Sequence, residues 1–307
     1  MARQIRCRAA QWHARTVSDQ TTSYADLIAE PPARTDLDPQ AWSEDLGFIE
    51  GEIPLHHADA FHSLPEDEWY EATHRLRRRL PALSDADVPV ALRQLLALVG
   101  DGHTSLQLPA DVDRLPIGLF RFEDGLRIIR TTAGQEDLLG ARILAIGRVA
   151  ADEAERRVDA LVPPENRWAP LVATPHFIVR RDVLDYFDLI EPEGEALLDL
   201  ELPDGTLRSV SVAFGPRPQT GAWRHAGGAP PLWQQAPDES LFWRPLDDGT
   251  LYVNFRGYDG LGKKIVELMA EIDRAQPVRV VFDMRDNGGG DFKLFRRIVL
   301  PEITGRD

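Results

Sequence analysis

The sequence predicts a multidomain protein of the α+β and α/β type, with helices at the front, a β-rich middle and an α/β end. Three amphipathic helical patterns fall within ~60 residues near the front, and none of them could bury its apolar stripe alone. From Thr104 onward, short apolar runs alternate with turn signals, which is typical of a β-rich module. Near the end, a strand, a helix and a second strand follow one another, which indicates a parallel pair with a right-handed crossover.

Each of the three front helices has a start signal. Asp38 followed by Pro39 predicts an N-cap and a first helical position, and Pro54 predicts the end of that helix. The capping box SLPE at 63–66 predicts the start of the second helix, and SDAD at 84–87 that of the third. The predicted apolar stripes are Trp42, Leu46, Ile49 and Ile53 for the first helix, Trp69, Leu76 and Leu80 for the second, and Val88, Leu92, Leu95 and Val99 for the third.

The later segments carry strand, hairpin and helix patterns. DEAERRVDALV predicts a helix, and LDLELPDGTLRSVSVAF predicts a hairpin that turns at Asp204 and Gly205. At the end, GTLYVNFRGY predicts a strand, KKIVELMAEIDRA a helix and PVRVVFDMR a buried strand. The predicted division is a loose leader at 1–37, a helical subdomain at 38–108 with a histidine-bearing turn, a β-rich module at 109–215, a linker at 216–239 and an α/β part at 240–307.

Composition and charge restrict the class of protein. A net charge of −15 argues against a nucleic-acid partner, because phosphate binding needs concentrated Lys and Arg. The single cysteine, Cys7, allows no internal disulfide and no cysteine-based zinc site. The basic N-terminus lacks the apolar run of a secretory signal, and no stretch reaches the ~18 apolar residues of a membrane span. We therefore expect a cytoplasmic protein, or an extracytoplasmic one if the N-terminus is misassigned, and the oligomeric state stays open.

The stretch VVFDMRDNGGGDF places three glycines between a predicted strand and a predicted helix. A phosphate-binding P-loop would need Lys and Ser or Thr after the glycines, and a dinucleotide fingerprint would need wider glycine spacing. The third interpretation is an oxyanion hole, in which backbone N–H groups approach a reacting carbonyl without a blocking side chain. On the glycines alone, a tight turn without chemistry has equal weight. Structural roles are expected for Asp283, which could pair with Arg285, and for Asp286 and Asn287.

The stretch LLALVGDGHTSL places His103 on a glycine turn just after a helix that is predicted to end at Gly100. Histidine is the natural general base near neutral pH, although a surface or hydrogen-bonded role is commoner for a single histidine. The histidines of PLHHADAFH, at 56, 57 and 62, match no zinc pattern and have no partnering carboxylate motif nearby. Loop and helix-packing roles are expected for them.

The segments GDGHTSL and VVFDMRDNGGGDF, in this order around a β-rich module, resemble those of the C-terminal-processing or tail-specific serine peptidases. The likeness is greatest to their tricorn-like branch, serine peptidase family forty-one, and runs from about residue 40 to residue 307. It implies that 109–215 is a PDZ-like module, which handles peptide chain ends by strand addition, and that 240–307 begins a crotonase/Clp-protease-like α/β core. It also implies that His103 is the general base and that Gly288 and Gly289 form the oxyanion hole.

The chain departs from this family where the nucleophile should stand. No serine follows Gly290, and the family's downstream lysine or orienting glutamate would lie beyond Asp307. Ser105, in a predicted strand with His103, would point the same way as the histidine but has no nucleophile elbow around it. The expectation is a serine-type endopeptidase for peptide or unfolded protein substrates, truncated before its nucleophile and inactive by itself, without metal or cofactor. The alternatives are a non-catalytic peptide-binding protein that uses the PDZ-like module and, more weakly, a binder of hydrophobic small molecules.

Overall fold

The computed structural model describes residues 39–305 apart from Glu193, Gly228 and Asp286. The predicted leader at 1–37 and the predicted N-cap at Asp38 lie outside the described residues. The architecture is a mixture of helices and largely antiparallel sheets. The chain divides into two compact units, Met1–Trp223 and Arg224–Asp307. No helix among the described residues is both long and apolar enough to cross a membrane.

The first unit opens with the three predicted helices. They are α1 (Pro39–His56), α2 (Glu66–Arg79) and α3 (Asp87–Ala97), with a short 3₁₀ turn at Leu80–Ala82 after α2. Their apolar stripes form one buried cluster, as the helical spacing predicts, because each helix covers the stripe of the others. The most buried members are Leu46, Trp69, Val88, Leu92 and Val99.

Two of the predicted helix boundaries are wrong, and the structure gives the reason for each. α1 continues through Pro54 to His56. Proline has no N–H to donate to the carbonyl of Glu50, but the indole N–H of Trp69 donates to that carbonyl at 3.3 Å. Ser63 does not cap α2, whose N-cap is Pro65, because its hydroxyl donates instead to the carbonyl of Val99 at 2.8 Å.

The start of α3 confirms the prediction from SDAD. The Asp87 N–H donates to Ser84 Oγ at 3.2 Å, and the Ser84 N–H donates to the Asp87 carboxylate at 3.1 Å. This reciprocal pair satisfies two backbone donors that have no partner within the helix.

A β-rich layer with its own core completes the first unit. Its antiparallel strands follow the order β1-β2-β3-β5-β6, with β4 paired to β3. The predicted hairpin is β5 and β6, and Gly205 in its turn has a φ of +85°, which favours glycine. The elements are β1 (Ile117–Phe122), β2 (Gly125–Thr131), a 3₁₀ turn (Glu136–Leu138), β3 (Arg142–Ile146), β4 (Val149–Ala150), α4 (Ala151–Asp159), α5 (Ala169–Phe177), α6 (Arg181–Tyr186), β5 (Ala196–Glu201), β6 (Leu207–Val212) and a 3₁₀ turn (Thr220–Ala222).

α5 and α6 were not predicted from the sequence. Both are short, with 9 and 6 residues, and α5 contains Pro175. Short helices are marginal by themselves, so they form here because tertiary packing supports them. Ile178, Val183 and Leu184, in and beside these helices, are fully buried in the core of the β-rich layer.

The second unit contains the predicted β-α-β pattern. After β7 (Arg224–His225) and a 3₁₀ turn (Leu232–Gln234), its elements are β8 (Leu241–Pro245), β9 (Thr250–Phe255), α7 (Leu261–Ala275) and β10 (Arg279–Asp283). β10 pairs with β9 in parallel, and β8 pairs with β9 antiparallel. Helical residues follow the glycines as α8 (Phe292–Leu294), a π-helical turn (Phe295–Val299) and α9 (Leu300–Thr304).

The prediction that PVRVVFDMR is a buried strand is wrong. In the described residues β10 is an edge strand of the order β10-β9-β8, and Val281 is 41 % exposed. β9, the central strand, is buried along its whole length. A run of β-branched residues favours a strand, but its burial depends on which neighbours cover it.

Candidate functional site

The turn after α3 presents His103 to solvent. Gly100 leaves the helix with a φ of +78°, and the carboxylate of Asp101 then closes the turn. Its Oδ1 accepts from the His103 N–H at 3.1 Å, and its Oδ2 accepts from the Thr104 hydroxyl at 2.6 Å. The His103 side chain is 96 % exposed. The structure thus places the predicted base on an ordered turn with its imidazole open to a reacting group.

A second histidine, His57, binds the other side of this turn. Its Nδ1 accepts from the Asp59 N–H at 3.1 Å, so the proton of the neutral ring lies on Nε2. That Nε2 donates to Asp101 Oδ2 at 3.2 Å. This carboxylate partner lies 44 residues further along the chain, so no motif near His57 in the sequence indicates it. The His62 ring stacks on His57, with 6.1 Å between the ring centroids.

Asp101 is charged throughout the neutral range. The Thr104 hydroxyl first, and the His103 N–H next, lower the pKa of its carboxyl from 3.8 to about 2. The His103 Nδ1 lies 3.6 Å from Asp101 Oδ1, which is an electrostatic contact and longer than a hydrogen bond. A negative charge beside Nδ1 favours the tautomer with the proton there. Nε2 of His103 then carries the lone pair that accepts a proton.

Arg93 and Glu165 lie beside the turn at 100–104 that carries His103. Arg93 donates to the carbonyls of Leu106 at 2.5 Å and Leu161 at 3.1 Å, and so joins the segment after His103 to a second loop. That loop leads to Glu165, whose Oε2 would lie only 2.4 Å from a Cβ added at Gly102. A second carboxylate therefore lies close to the same turn, and a larger residue at position 102 would displace the end of this exposed side chain.

Ser105 does not lie in a strand, contrary to the prediction, because residues 101–108 form a turn and an irregular segment. Its side chain is exposed, and the alternation of side chains that placed it beside His103 does not apply.

In the second unit, a network of side chains holds the segment before the glycines. Asp283, at the end of β10, accepts from the guanidinium of Arg285 at 2.9 and 3.0 Å and from the Tyr252 hydroxyl at 2.8 Å. The pairing of Asp283 with Arg285 is as predicted. The Arg285 hydrogen bonds hold the pKa of the Asp283 carboxyl at about 2. Burial and the Asp283 hydrogen bond raise the pKa of Tyr252 to about 12. Both groups keep one protonation state near neutral pH.

The backbone N–H groups at Gly288 and Gly289 are engaged within the protein. The Gly288 N–H donates to the carbonyl of Arg256 at 3.3 Å, and the Gly289 N–H donates to Asn287 Oδ1 at 2.9 Å. Asn287 is itself held by its Nδ2, which donates to the carbonyl of Phe255 at 3.0 Å. An oxyanion bound here would have to replace these acceptors, so the role of the two glycines stays a prediction.

Ser240 is the last serine of the sequence, and it lines a polar cavity of about 440 Å³ together with Lys264. Its hydroxyl donates to the carbonyl of Asp259 at 2.5 Å. Lys264 forms an ion pair with Glu239 and donates to the carbonyl of Leu241 at 3.3 Å. A Ser-Lys dyad needs the lysine amine on the serine hydroxyl, whereas Lys264 is bound to Glu239 and Leu241, and the Ser240 hydroxyl is bound to Asp259. This serine is not arranged as a nucleophile.

His103, Asp101 and His57 belong to the first unit, and Gly288 and Gly289 belong to the second. The contacts of Asp101 and His57 with this turn were not predicted from the sequence. An acidic residue two positions before a histidine on a glycine turn was the available signal for Asp101. Nothing in the sequence connects His57 with that turn. Among residues 39–305 as described, no three His, Cys, Asp or Glu side chains lie together as a metal site would require.

The chain is similar in structure to mature CPAF, a chlamydial serine protease with a tail-specific-protease-like fold. For CPAF complexed with lactacystin, the TM-score is 0.59 at 12 % identity, over 85 % of this chain and 59 % of that one. For mature CPAF alone, it is 0.57 at 14 % identity, over 85 % and 58 %. For a serine-to-alanine mutant of CPAF, it is 0.56 at 12 % identity, over 84 % and 58 %.

These likenesses show a serine-protease-like fold. The chain spans about three-fifths of the length of the CPAF chains that it matches. No family model matches the sequence, and no curated protein matches it.

Proposed function

We propose that this chain is the front part of a serine-type peptidase of the tail-specific kind, acting by acyl transfer on peptide or unfolded protein substrates. The observation that carries the proposal is the fold shared with CPAF over 85 % of the chain. The histidine turn supports it, because a solvent-open imidazole beside a carboxylate that is charged at neutral pH suits a general base.

In this proposal each group has one role. His103 Nε2 accepts the proton of a serine hydroxyl as the oxygen attacks the peptide carbonyl, and it later returns the proton to the leaving amine. Asp101 keeps the His103 ring in the required tautomer. Gly288 and Gly289 supply N–H groups to the oxyanion after their present acceptors are replaced. Because Ser240 is not arranged as a nucleophile, the proposal assigns the nucleophile to polypeptide beyond residue 307.

The test is hydrolysis of a quenched fluorescent casein by the protein made from the complete reading frame. His103→Ala is expected to lower kcat/KM by about 10²–10⁴-fold, the usual loss with a general base. The matched control is His62→Ala, since His62 is an exposed histidine that stacks on His57 outside the turn, and it should keep most of the activity. Residues 1–307 alone should release no product.

Two results would count against the proposal in different ways. Full activity in His103→Ala would remove the base from the mechanism and leave a peptidase of another kind. No hydrolysis by the complete product, with its fold intact by circular dichroism, would remove the peptidase itself.

A second candidate function is peptide binding without catalysis. β6 is the last strand in the order β1-β2-β3-β5-β6, and Leu207 at its start is 71 % exposed. An extended peptide could add to this edge through backbone hydrogen bonds. Fluorescence anisotropy with residues 1–307 should then show tighter binding of peptides with a free C-terminus than of the same peptides amidated. Equal binding would contradict a module that recognises chain ends.

A further inference from the structure

A cavity of about 270 Å³ lies in the helical part of the first unit. α2 and α3 form its walls, and Tyr186 at the end of α6 closes one side. Its floor is apolar and is made of Ala72, Leu76, Ala91, Leu95 and Leu98. Leu98 is 39 % exposed, so the cavity leaves apolar surface open to solvent. A concave apolar site with a few polar groups at its rim is the usual form of a small-molecule site.

The rim of the cavity carries hydrogen-bond donors and positive charge. Arg79 reaches the Tyr186 hydroxyl at 3.4 Å, and its guanidinium carbon lies 5.7 Å from the centre of the Tyr186 ring. Within the described part of the chain, Arg79 pairs with no carboxylate. The other rim arginine, Arg75, is paired with Glu71 at 2.9 Å. Among the described residues, the guanidinium of Arg79 therefore has no carboxylate partner, although the net charge of the chain is −15.

The other polar residues that line the cavity are Tyr186 and Gln94, which are hydrogen-bonded to each other. The Tyr186 hydroxyl donates to Gln94 Oε1 at 2.8 Å, which leaves the two N–H donors of the Gln94 amide without an acceptor among the described residues. Burial raises the pKa of Tyr186, so the hydroxyl keeps its proton and this orientation. Asp87, whose charge acts on Tyr186, is bound by the Ser84 hydroxyl at 2.7 Å.

We propose that this cavity binds a carboxylate with a short apolar tail, of the medium-chain fatty acid class. The guanidinium of Arg79 and the Gln94 amide would hold the carboxylate, and the tail would lie on Leu76, Leu95 and Leu98. Charge-assisted hydrogen bonds fix the head group, and burial of the chain supplies the rest of the affinity. The site is independent of the peptidase proposal, because it contains neither His103 and Asp101 nor the glycines at 288 and 289.

The test uses NMR titration of residues 1–307 with octanoate, butanoate, octanol and octylamine. Octanoate should shift the signals of Tyr186, Leu98 and Gln94 and should bind tightest. Each added methylene should strengthen binding about fourfold. Octanol should bind more weakly and octylamine least. Arg79→Gln should weaken octanoate about tenfold without affecting octanol, whereas the control Arg78→Gln, on an exposed neighbour in α2, should change neither.

A second variant keeps the test informative if Arg79→Gln disturbs the fold. Leu98→Glu places a negative charge at the exposed wall and should abolish octanoate binding while the helical circular dichroism stays unchanged. Equal affinity for octanoate and octylamine, or octanoate binding that is the same in all variants, would overturn the proposal. Tighter binding of acetyl-Ala-Leu with a free carboxylate than of octanoate would also overturn it, in favour of a peptide terminus.

Discussion

Gly100→Ala tests whether the backbone conformation at Gly100, between α3 and His103, stabilises the end of α3. Gly100 has a φ of +78°, which side-chain-bearing residues rarely adopt. A Cβ added there would lie 2.2 Å from Ser63 Oγ and 3.1 Å from Ser63 Cβ. The same hydroxyl donates to the carbonyl of Val99 at 2.8 Å. The substitution therefore strains the backbone and displaces a side chain that satisfies the last turn of the helix.

The magnitude follows from these two effects. A left-handed conformation costs an alanine about 1–2 kcal/mol relative to glycine. Displacing Ser63 breaks a partly buried hydrogen bond, which contributes about 1 kcal/mol. The opening free energy of α3 should therefore fall by about 2–3 kcal/mol. Gly134→Ala is the control for strain alone, since Gly134 has a φ of +90° with open space around it, and it should lower the opening free energy of its own turn after β2, not that of α3, by about 1–2 kcal/mol.

Hydrogen exchange followed by mass spectrometry measures this quantity locally, because protection of the α3 amides reports the free energy of opening that helix. A double-mutant cycle with Ser63→Ala isolates the contact. In the Ser63→Ala background, Gly100→Ala should cost about 1 kcal/mol less than in the wild type, because the hydroxyl that it displaces is already gone.

Two outcomes would refute this reasoning. If Gly100→Ala changed the protection of α3 no more than that of a distant helix such as α7, the turn would not be coupled to α3. If the costs of Gly100→Ala and Ser63→Ala added fully, the close approach of the two residues would carry no energy.

Three further changes have defined outcomes. Long-range ¹H–¹⁵N NMR at pH 8 should show His103 mainly with its proton on Nδ1, and Asp101→Asn should shift it toward Nε2; an unchanged spectrum would contradict the positioning role. Tyr252→Phe should cost about 1–2 kcal/mol in urea unfolding at pH 7. That difference should shrink between pH 4 and pH 2, because the pKa of Asp283 is lowered from 3.8 to about 2 and its contribution is lost as the carboxylate protonates; a pH-independent difference would contradict this. Gly51→Ala, in α1 with no atom within 4 Å of the added carbon, should raise stability by about 0.5–1 kcal/mol, and a lower melting temperature would contradict it.

The elements that the sequence predicted well are those whose signals are local. The stripe of α3, from Val88 to Val99, is buried as its helical spacing predicts. The turn at Asp204 and Gly205 forms the hairpin, and Ser84 with Asp87 starts α3. In each case the interacting residues lie within about four positions along a helix, or opposite one another across a short turn. Their spacing in the sequence is therefore enough to predict the contact.

The site could be predicted only in part. His103 on its glycine turn was visible, because the glycines and the preceding helix lie next to it in the sequence. The carboxylate beside it, Asp101, was not predicted although it stands only two positions before His103, and its second partner, His57, lies 44 residues away. The second turn, at Gly288 and Gly289, was also visible in the sequence. The sequence did not show that Asn287 and Arg256 already accept hydrogen bonds from the N–H groups of these glycines.

The remaining differences have one physical cause. Periodicity, caps and turn residues are properties of a few consecutive residues, and they determined the helices, the hairpin and the strand-helix-strand unit. The tertiary structure alone decided that α1 passes Pro54, that Ser63 binds Val99, and that β10 is exposed. In the first two cases, a group 19 or 36 residues away satisfies a backbone carbonyl. In the third, burial depends on which elements cover the strand, and the sequence of the strand itself does not show which elements those are.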